Sequence, residues 1–194
     1  MILKIHRIIF MLILFSGLIT AGDWQVDKDA KNSVVFMSST TLLDFEGKTS
    51  DIDGYLFWKG EEIFADGNEL YFEILLNTFS TGIGKRDRDM RDDILETKKY
   101  PYSSFKAKIT KSEKKDEAYH VLVKGEMILH GQKKEMEIPG VITIKDGLMN
   151  IKTSFTIFLD DFKIAAPSLI AFIKVANEIK LELDFNLREI KLNL

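Results

Sequence analysis

The chain has 194 residues, of which 45% are hydrophobic and 29% charged, and this balance is typical of one soluble domain rather than of a collagen-like or disordered chain. It contains no cysteine, which excludes disulfides, thiolate nucleophiles, iron–sulfur clusters and cysteine zinc sites. Its 30 acidic residues outnumber its 27 basic residues, and this argues against a nucleic-acid partner, because a phosphate backbone favours a basic surface.

The start of the chain has the pattern of a secretory signal peptide. Lys4 and Arg7 supply positive charge, residues 8–15 form an unbroken apolar run, and residues 16–22 are small and polar. The apolar run is too short to span about 30 Å of hydrocarbon comfortably, so an uncleaved membrane anchor is the less favoured alternative. We predict a signal peptide at residues 1–21 and a mature protein that is periplasmic or secreted.

After the signal peptide, apolar and polar side chains alternate with the period of two that β-strands produce. The alternating runs lie at residues 33–41, 52–58, 69–77, 105–109, 121–129, 135–144, 149–157 and 179–187. Short turn sequences such as Asp66-Gly67-Asn68 and His130-Gly131-Gln132 separate them. Because connections this short favour antiparallel neighbours, the pattern predicts about eight antiparallel strands.

Two stretches interrupt the alternation. Residues 82–97 are rich in charge and carry apolar residues at helical spacing, which predicts a short helix. Residues 160–176 form an apolar loop around Pro167. Because the chain shows no internal repeat and no low-complexity linker, we interpret residues 22–194 as one domain.

Eight antiparallel strands can close into a barrel or stack as a sandwich. Closure removes the unpaired strand edges, and a barrel of eight strands is about wide enough to hold one slender ligand. The chain has 14 phenylalanines, and this supply of large apolar side chains favours the barrel, although the same side chains could simply fill a core. We predict an all-β fold, an eight-stranded antiparallel barrel with a short helical segment.

Candidates for catalysis or metal binding are few. His120 and His130 are the histidines that remain after the signal peptide, and two histidines ten residues apart are not a metal signature. We interpret both as surface residues. Residues 86–93 interleave arginine with aspartate, which is typical of a solvated, self-paired segment. We therefore expect no catalytic residue, metal or cofactor.

Short motifs also follow one another along the chain in a recognisable order. They are Trp24 and Asp27, Asn32-Ser33 and Phe36, Phe45-x-Gly47 and Gly54; then Asn77-Thr78-Phe79-Ser80-Thr81, Arg86-Asp87, Met90, Leu95, Tyr100-Pro101 and Ser104-Phe105-Lys106-Ala107; then Val123 to Gly131. Over residues 24–187 this order resembles the YceI-like family of exported polyisoprenoid-binding proteins. The resemblance implies a lipocalin-like barrel whose long apolar channel holds an isoprenoid or a related lipid tail.

A binding mechanism follows from the residues themselves. Burying a lipid tail contributes about 0.8 kcal/mol per methylene, so an apolar channel can hold a long chain without charged contacts. The predicted lining residues lie on the apolar phase of their strands and are Phe36, Trp58, Phe72, Ile74, Phe105, Phe155 and Phe185. We interpret residues 165–175 either as a lid beside the lipid entry or as packing across one barrel end.

We therefore predict an exported carrier or sequestering protein, not an enzyme. Its partner would be a hydrophobic lipid of the polyisoprenoid or isoprenoid quinone class, and transient contact with a membrane is compatible with this role. One alternative is a periplasmic stress or interaction module with a packed barrel and no lipid. Another is a hydrolase or isomerase for a hydrophobic substrate, which would need His120 or Asp89 buried beside a cavity.

Overall fold

A computed structural model describes residues 22–60, 63–64, 67–166, 168–170 and 173–190. The predicted signal peptide lies outside these residues. The elements in chain order are β1 (Gly22–Val26), β2 (Ser33–Ser39), β3 (Asp44–Thr49), β4 (Ile52–Trp58), β5 (Glu69–Leu75), a 3-10 turn (Leu76–Thr78), α1 (Gly84–Asp89), a π-helical turn (Met90–Ile94), β6 (Tyr102–Lys115), β7 (Ala118–Leu129), β8 (Gln132–Lys145), β9 (Leu148–Phe158), a second 3-10 turn (Leu159–Phe162), β10 (Ser168–Ile170), β11 (Ile173–Lys174) and β12 (Glu178–Glu189).

Eight of these strands close into a barrel. The order around the barrel is β1, β4, β5, β6, β7, β8, β9 and β12, and β12 returns to pair with β1. Each strand is antiparallel to its neighbours. Trp24 of β1 completes the ring, because it is in register with Leu56 of β4 on one side and with Glu189 of β12 on the other. The predicted all-β fold and its eight-stranded antiparallel barrel are confirmed.

The hairpin of β2 and β3 extends the wall of the barrel beyond β1. One end of β12 pairs with β1, and the residues from Lys180 to Asp184 pair with β2, which in turn pairs with β3. The outer edge of β3 is met by Ser80, whose backbone exchanges two hydrogen bonds with that of Lys48, at 2.9 and 3.0 Å. The extra hairpin is therefore fastened to the segment that precedes α1.

Alternation of side chains places one face of each strand inside the barrel. In β4, for example, Ile52, Leu56 and Trp58 are buried, whereas Tyr55 and Phe57 between them are only partly buried. Tyr55 lies on the outer surface, where its hydroxyl donates a 2.6 Å hydrogen bond to Glu69. This hydrogen bond, with burial and the carboxylate charge, raises the pKa of Tyr55 to about 12, because ionisation would place two negative charges together.

The helical segment lies between β5 and β6, as the sequence predicts. It consists of α1 and the π-helical turn that follows it without a break, and Met90 at their junction is buried. The second interruption, between β9 and β12, holds the second 3-10 turn and a small hairpin of β10 and β11. None of the helices in the described ranges has the length and apolar character needed to cross a bilayer.

Strands β8 and β9 separate near one end of the barrel. Their pairing ends at Gly140 and Thr153, because Pro139, the preceding residue of β8, has no N–H with which to continue the ladder. Its carbonyl oxygen instead accepts a hydrogen bond from the Thr153 hydroxyl at 2.7 Å. The second 3-10 turn contacts both strands beyond this point and buries Phe162 there. At this end the second 3-10 turn, rather than a continuous ladder, connects β8 and β9.

Candidate functional site

The interior of the barrel is not filled by its own side chains. A cavity of about 480 Å³ runs between the inward faces of the strands, a volume within the usual range of small-molecule sites. Most of the residues around it are apolar, and they come from β2, from β4 to β9 and from β12. The arrangement is therefore a single apolar chamber to which nearly every strand of the barrel contributes.

Six of the seven predicted lining residues border this cavity. They are Phe36, Phe72, Ile74, Phe105, Phe155 and Phe185. Two of these rings meet across the chamber, since Phe72 and Phe185 stand edge to face with their centroids 4.7 Å apart. Contact between these side chains and a bound ligand stays a prediction. Their alternation along the strands turns them toward the cavity, where a ligand inside the barrel would meet them.

Trp58 is the exception, because it does not border the cavity. Its ring stacks on Trp24 at 6.4 Å, and it meets Phe64 edge to face at 5.3 Å. Phe64 in turn meets Tyr119 edge to face at 5.5 Å. Trp58 has the inward phase that the sequence predicts, but it is the last residue of β4, so it lies beyond the chamber, within this chain of four rings.

These four aromatic residues fill one end of the barrel, which we call the closed end. The loop between β4 and β5 brings Phe64 into place and is held by Asn68, a buried side chain. The Asn68 amide donates to the carbonyl oxygens of Phe64 and Ile109, both at 3.1 Å, and its oxygen accepts from the Ile109 N–H at 2.7 Å. This contact lies beside a bulge in β6 at Thr110.

The opposite end, which we call the open end, carries α1 and the turn between β2 and β3. Here the cavity reaches the surface, since Leu43 and Ile83 border it and are also exposed. The charged residues of the cavity wall, Lys85, Arg86 and Asp89, lie at this end as well. The site is therefore an apolar chamber with polar and charged groups at its mouth.

Arg86 is fixed across the rim by three contacts. Its guanidinium donates to the Thr81 hydroxyl at 2.8 Å and to the Thr81 carbonyl oxygen at 2.9 Å. It also lies over the ring of Phe45 at 4.8 Å from the centroid, within the range of a cation–π contact. Lys85 and Asp89 form an ion pair of 2.6 Å with more solvent around it. The sequence motifs gave no sign that Arg86 would stack on Phe45.

Asp87 ties α1 to the wall of the barrel. It is buried, and its carboxylate accepts hydrogen bonds from the Ser80 hydroxyl at 2.9 Å, the Thr81 N–H at 2.7 Å and the Thr81 hydroxyl. Burial would raise the pKa of Asp87, but these hydrogen bonds and the nearby charge of Arg91 outweigh it and hold the pKa below its ordinary value. Since Ser80 also pairs with Lys48, the carboxylate links α1 to β3.

The hydrolase or isomerase alternative requires His120 or Asp89 to be buried beside a cavity, and the structure places neither side chain in that way. His120 is exposed on β7, and Asp89 borders the cavity only at its mouth, paired with Lys85. Among the residues that the structure describes, no group of three or more His, Asp or Glu could hold a metal ion. The expectation of a surface position is wrong for His130, whose side chain is only 14% exposed and contacts Glu96 at 2.8 Å and the ring of Tyr100.

Much of the cavity wall consists of residues that were not singled out from the sequence. Examples are Val123, Ile138 and Leu183, which share the inward phase of β7, β8 and β12. The alternation that identified the phenylalanines applies equally to these aliphatic side chains, so the same signal could have found them. The choice of mainly aromatic residues was therefore incomplete, because aliphatic side chains of the same strand faces form much of the wall.

The comparison with protein-family models matches residues 24–187 to the YceI-like domain. The chain belongs to the YceI-like family. The match begins at Trp24 in β1 and ends at Leu187 in β12, so it includes residues of all eight barrel strands. The resemblance noted from the sequence motifs is therefore confirmed over the same residues.

Solved structures share the fold of this YceI-like chain. A polyisoprenoid binding domain from Saccharophagus degradans, implicated in plant cell wall breakdown, has a TM-score of 0.70 at 17% identity and covers 86% of this chain and 98% of its own. BcnA of Burkholderia cenocepacia has a TM-score of 0.69 at 16% identity, covering 83% and 98%. The YceI protein of Campylobacter jejuni has a TM-score of 0.55 at 23% identity, covering 75% and 85%. A search of the curated proteins found no match.

The loop that the sequence analysis interpreted as a lid or as end packing is described only in part in this YceI-like barrel. Pro167 and Phe172 lie outside the described residues. Val175 borders the cavity, and Ala166 packs against the buried core. The bridge between Val175 and Thr40 joins this loop to the β2–β3 turn, so the loop forms part of the rim at the open end.

Proposed function

We propose that this protein binds a long apolar lipid of the polyisoprenoid or isoprenoid quinone class inside the barrel and carries or sequesters it. The observation that supports this proposal is the apolar chamber of about 480 Å³ that the strands leave between them. Catalysis is no part of the proposal, because the polar groups beside the chamber are engaged with one another at its mouth.

The chamber suits a hydrocarbon chain on energetic grounds. Each methylene that leaves water contributes about 0.8 kcal/mol, so about ten buried methylenes contribute about 8 kcal/mol before the cost of immobilising the ligand. The wall offers phenylalanine rings and branched aliphatic side chains along its length. Affinity would therefore come from burial along the tail, without a charged contact inside the barrel.

The charged rim would orient the ligand. A polar head group loses its hydration if it is buried without hydrogen-bond partners, which costs several kcal/mol. At the open end, by contrast, it remains near water and within reach of Lys85, Arg86 and Asp89. We infer that the tail enters first and that the head group stays at the rim beside α1.

Two further observations support the proposal. The Saccharophagus degradans structure with the same fold is itself a polyisoprenoid binding domain. The signal-peptide pattern at residues 1–21 favours an exported carrier, periplasmic or secreted. The packed module that the sequence left as an alternative would have an interior filled by its own side chains, and the chamber argues against it.

The proposal is tested by asking what the protein carries. Protein purified from cells is extracted with organic solvent, and the extract is examined by mass spectrometry for prenyl or acyl species. The stripped protein is then titrated with a long-chain polyprenol and with an isoprenoid quinone, and the complexes are detected by native mass spectrometry. An extract without lipid, together with no response to either titrant, would overturn the proposal.

Gly140 offers a way to block the chamber without disturbing the rim. It borders the cavity and is in register with the inward-facing Val121 and Thr153. A Cβ built there meets Val121 at 3.4 Å and the Lys152 carbonyl oxygen at 3.5 Å, which are ordinary contact distances. A larger side chain at this position would therefore fit the backbone and project into the chamber.

We expect Gly140→Phe to weaken polyprenol binding by at least about tenfold, because the ring takes space that the tail needs. The matched control is Gly140→Ala, which adds only the Cβ and should bind within about twofold of the unmodified protein. Circular dichroism of both variants checks that the barrel is intact. Equal binding by the folded Phe and Ala variants would place the ligand outside the chamber.

A further inference from the structure

Exposed large apolar side chains gather around the open end of the barrel. Seven such side chains occur in the described residues: Leu42, Leu43, Ile63, Ile83, Tyr102, Leu148 and Phe158. Of these, Ile63, in the β4–β5 loop, and Leu148, at the start of β9, lie at the closed end. The most prominent ones are Leu42, Leu43 and Ile83, which are 72%, 55% and 54% exposed, and we call these three residues the apolar rim.

The turn that presents the two leucines of the apolar rim is held in a defined shape. The backbone N–H and the hydroxyl of Thr40 donate to the Leu43 carbonyl oxygen at 2.8 and 3.0 Å. The same hydroxyl accepts from the N–H groups of Leu42 and Leu43 at 3.2 and 3.1 Å. The leucines are thus held outward by local hydrogen bonds while their side chains remain in water, which is costly unless something covers them.

The apolar rim is continuous with the chamber. Leu43 and Ile83 border the cavity as well as the solvent. Any apolar surface that covered the apolar rim would therefore also face the mouth of the chamber. Leu148 is as exposed as Leu43, at 55%, but it lies beside the β8–β9 turn at the closed end and does not border the cavity.

Charges of both signs flank the apolar rim: Asp44, next to Leu43, is exposed and acidic, whereas the exposed charges of α1 are mainly basic. On α1, the Lys85 side chain is 81% exposed and Arg88 is also exposed. Of the two acidic residues of α1, Asp87 is buried in its own hydrogen bonds and Asp89 is paired with Lys85. The part of α1 that faces solvent is therefore positively charged. Apolar side chains next to basic ones are the combination that binds a phospholipid surface, whose phosphates attract the basic groups.

We propose that the open end docks on the surface of a phospholipid bilayer. Leu42, Leu43 and Ile83 enter the boundary between head groups and acyl chains, and Lys85 and Arg88 face the lipid phosphates. Docked in this way, the mouth of the chamber opens toward the hydrocarbon, so an apolar chain passes between bilayer and barrel without crossing water. This proposal goes beyond lipid binding in the chamber, because docking requires no ligand inside the barrel.

The test uses co-sedimentation of the full mature chain with vesicles. One set contains phosphatidylethanolamine and phosphatidylglycerol, and the other contains phosphatidylcholine alone. Leu42→Glu is the main variant, since Leu42 is the most exposed residue of the apolar rim and does not border the chamber. We expect it to weaken binding to both vesicles by about tenfold, because a charge replaces a leucine that would be buried in lipid.

Two other variants complete the test. Leu148→Glu makes the same change at the closed end and should bind vesicles as the unmodified protein does. Arg88→Glu should weaken binding by about fivefold or more on the phosphatidylglycerol vesicles, with little change on phosphatidylcholine. Thermal unfolding of each variant checks that the fold is kept.

Docking and chamber binding fail in different ways. Equal loss of vesicle binding in Leu42→Glu and Leu148→Glu, or no vesicle binding by the unmodified protein, would overturn the docking proposal. Titration with a polyprenol in detergent measures the chamber separately, and Leu42→Glu should leave that affinity unchanged. No polyprenol binding by the unmodified protein, with its vesicle binding kept, would instead contradict the proposed function.

Discussion

At the scale of single residues, Asp87 is a buried carboxylate whose charge depends on hydrogen bonds from its neighbours. A buried carboxylate is costly unless hydrogen bonds stabilise its charge, and here Ser80 and Thr81 supply three of them. The carboxylate therefore holds α1 against the segment that pairs with β3. The alternation of arginine and aspartate in residues 86–93 predicted a solvated, self-paired segment. That prediction is wrong for Asp87, because its side chain is buried against Ser80 and Thr81.

We expect Asp87→Asn to lower the free energy of unfolding at pH 7 by about 1–3 kcal/mol, since the amide cannot satisfy all three donors. Asp89→Asn is the matched control on the same helix. It removes a largely solvated ion pair with Lys85, so it should cost at most about 0.5 kcal/mol. Urea unfolding followed by circular dichroism measures both, and an equal loss in the two variants would contradict the role given to Asp87.

The same residue predicts a pH dependence. Because the folded state holds the pKa of Asp87 below its ordinary value of 3.8, its stabilising contribution is complete above about pH 3.8 and declines as the pH falls through the folded pKa. Asp87→Asn has no group that titrates there. Urea unfolding repeated at pH 3 should therefore show a smaller difference between the variant and the unmodified protein than at pH 7, whereas a constant difference would assign the effect to packing alone.

At the scale of elements, the strands were easier to predict than their ends. The period of two identified the strands that line the chamber, because one face is buried and the other is wet. It missed β1 and β3, since β1 directly follows the predicted signal peptide and β3 alternates charged residues with Phe45 and Gly47, which carry a weak apolar signal. The split between β8 and β9 also had a signal, Pro139, whose missing N–H ends the ladder.

Loops between elements depend on single polar residues that sequence patterns do not reveal. Asn68 follows an Asp-Gly turn signal, which predicts the turn, but its bonds to Phe64 and Ile109 link positions far apart in the chain. We expect Asn68→Ala to lower the free energy of unfolding by about 1–3 kcal/mol, because buried backbone groups would lose their partners. Asn177→Ala, which removes one solvent-exposed bond to the Asp160 N–H, should cost less in the same chemical denaturation, and a comparable cost would contradict this account.

At the scale of the whole molecule, the inward-facing aromatic residues form two groups: some border the chamber, and others fill the closed end. The sequence predicted large inward side chains but could not separate rings that border a space from rings that fill an end. Trp58 shows the difference, because its place at the end of β4, rather than its phase, decides that it packs against Trp24 and Phe64. A barrel and a sandwich could be distinguished only by closure between β1 and β12, which no local pattern encodes.

Trp58→Ala tests this division. We expect it to lower the free energy of unfolding by about 3–5 kcal/mol, because a large buried ring is lost. Polyprenol binding by the folded variant should stay within about twofold of the unmodified protein, since Trp58 does not border the chamber. Thermal or chemical denaturation and the polyprenol titration measure the two effects separately, and a large loss of affinity in the folded variant would move the ligand deeper into the barrel.

The aromatic cluster at the closed end also determines the direction in which a ligand enters and leaves the chamber. The cluster consists of Trp24, Trp58, Phe64 and Tyr119. The four packed rings leave no passage for a hydrocarbon chain at the closed end. A ligand that enters beside α1 would therefore leave through the same opening. Cargo loaded tail-first would then always emerge head-first, and a receiving enzyme or membrane would meet its polar terminus before any of its carbon chain. Delivery would have a fixed polarity, set by a plug far from the point of exchange.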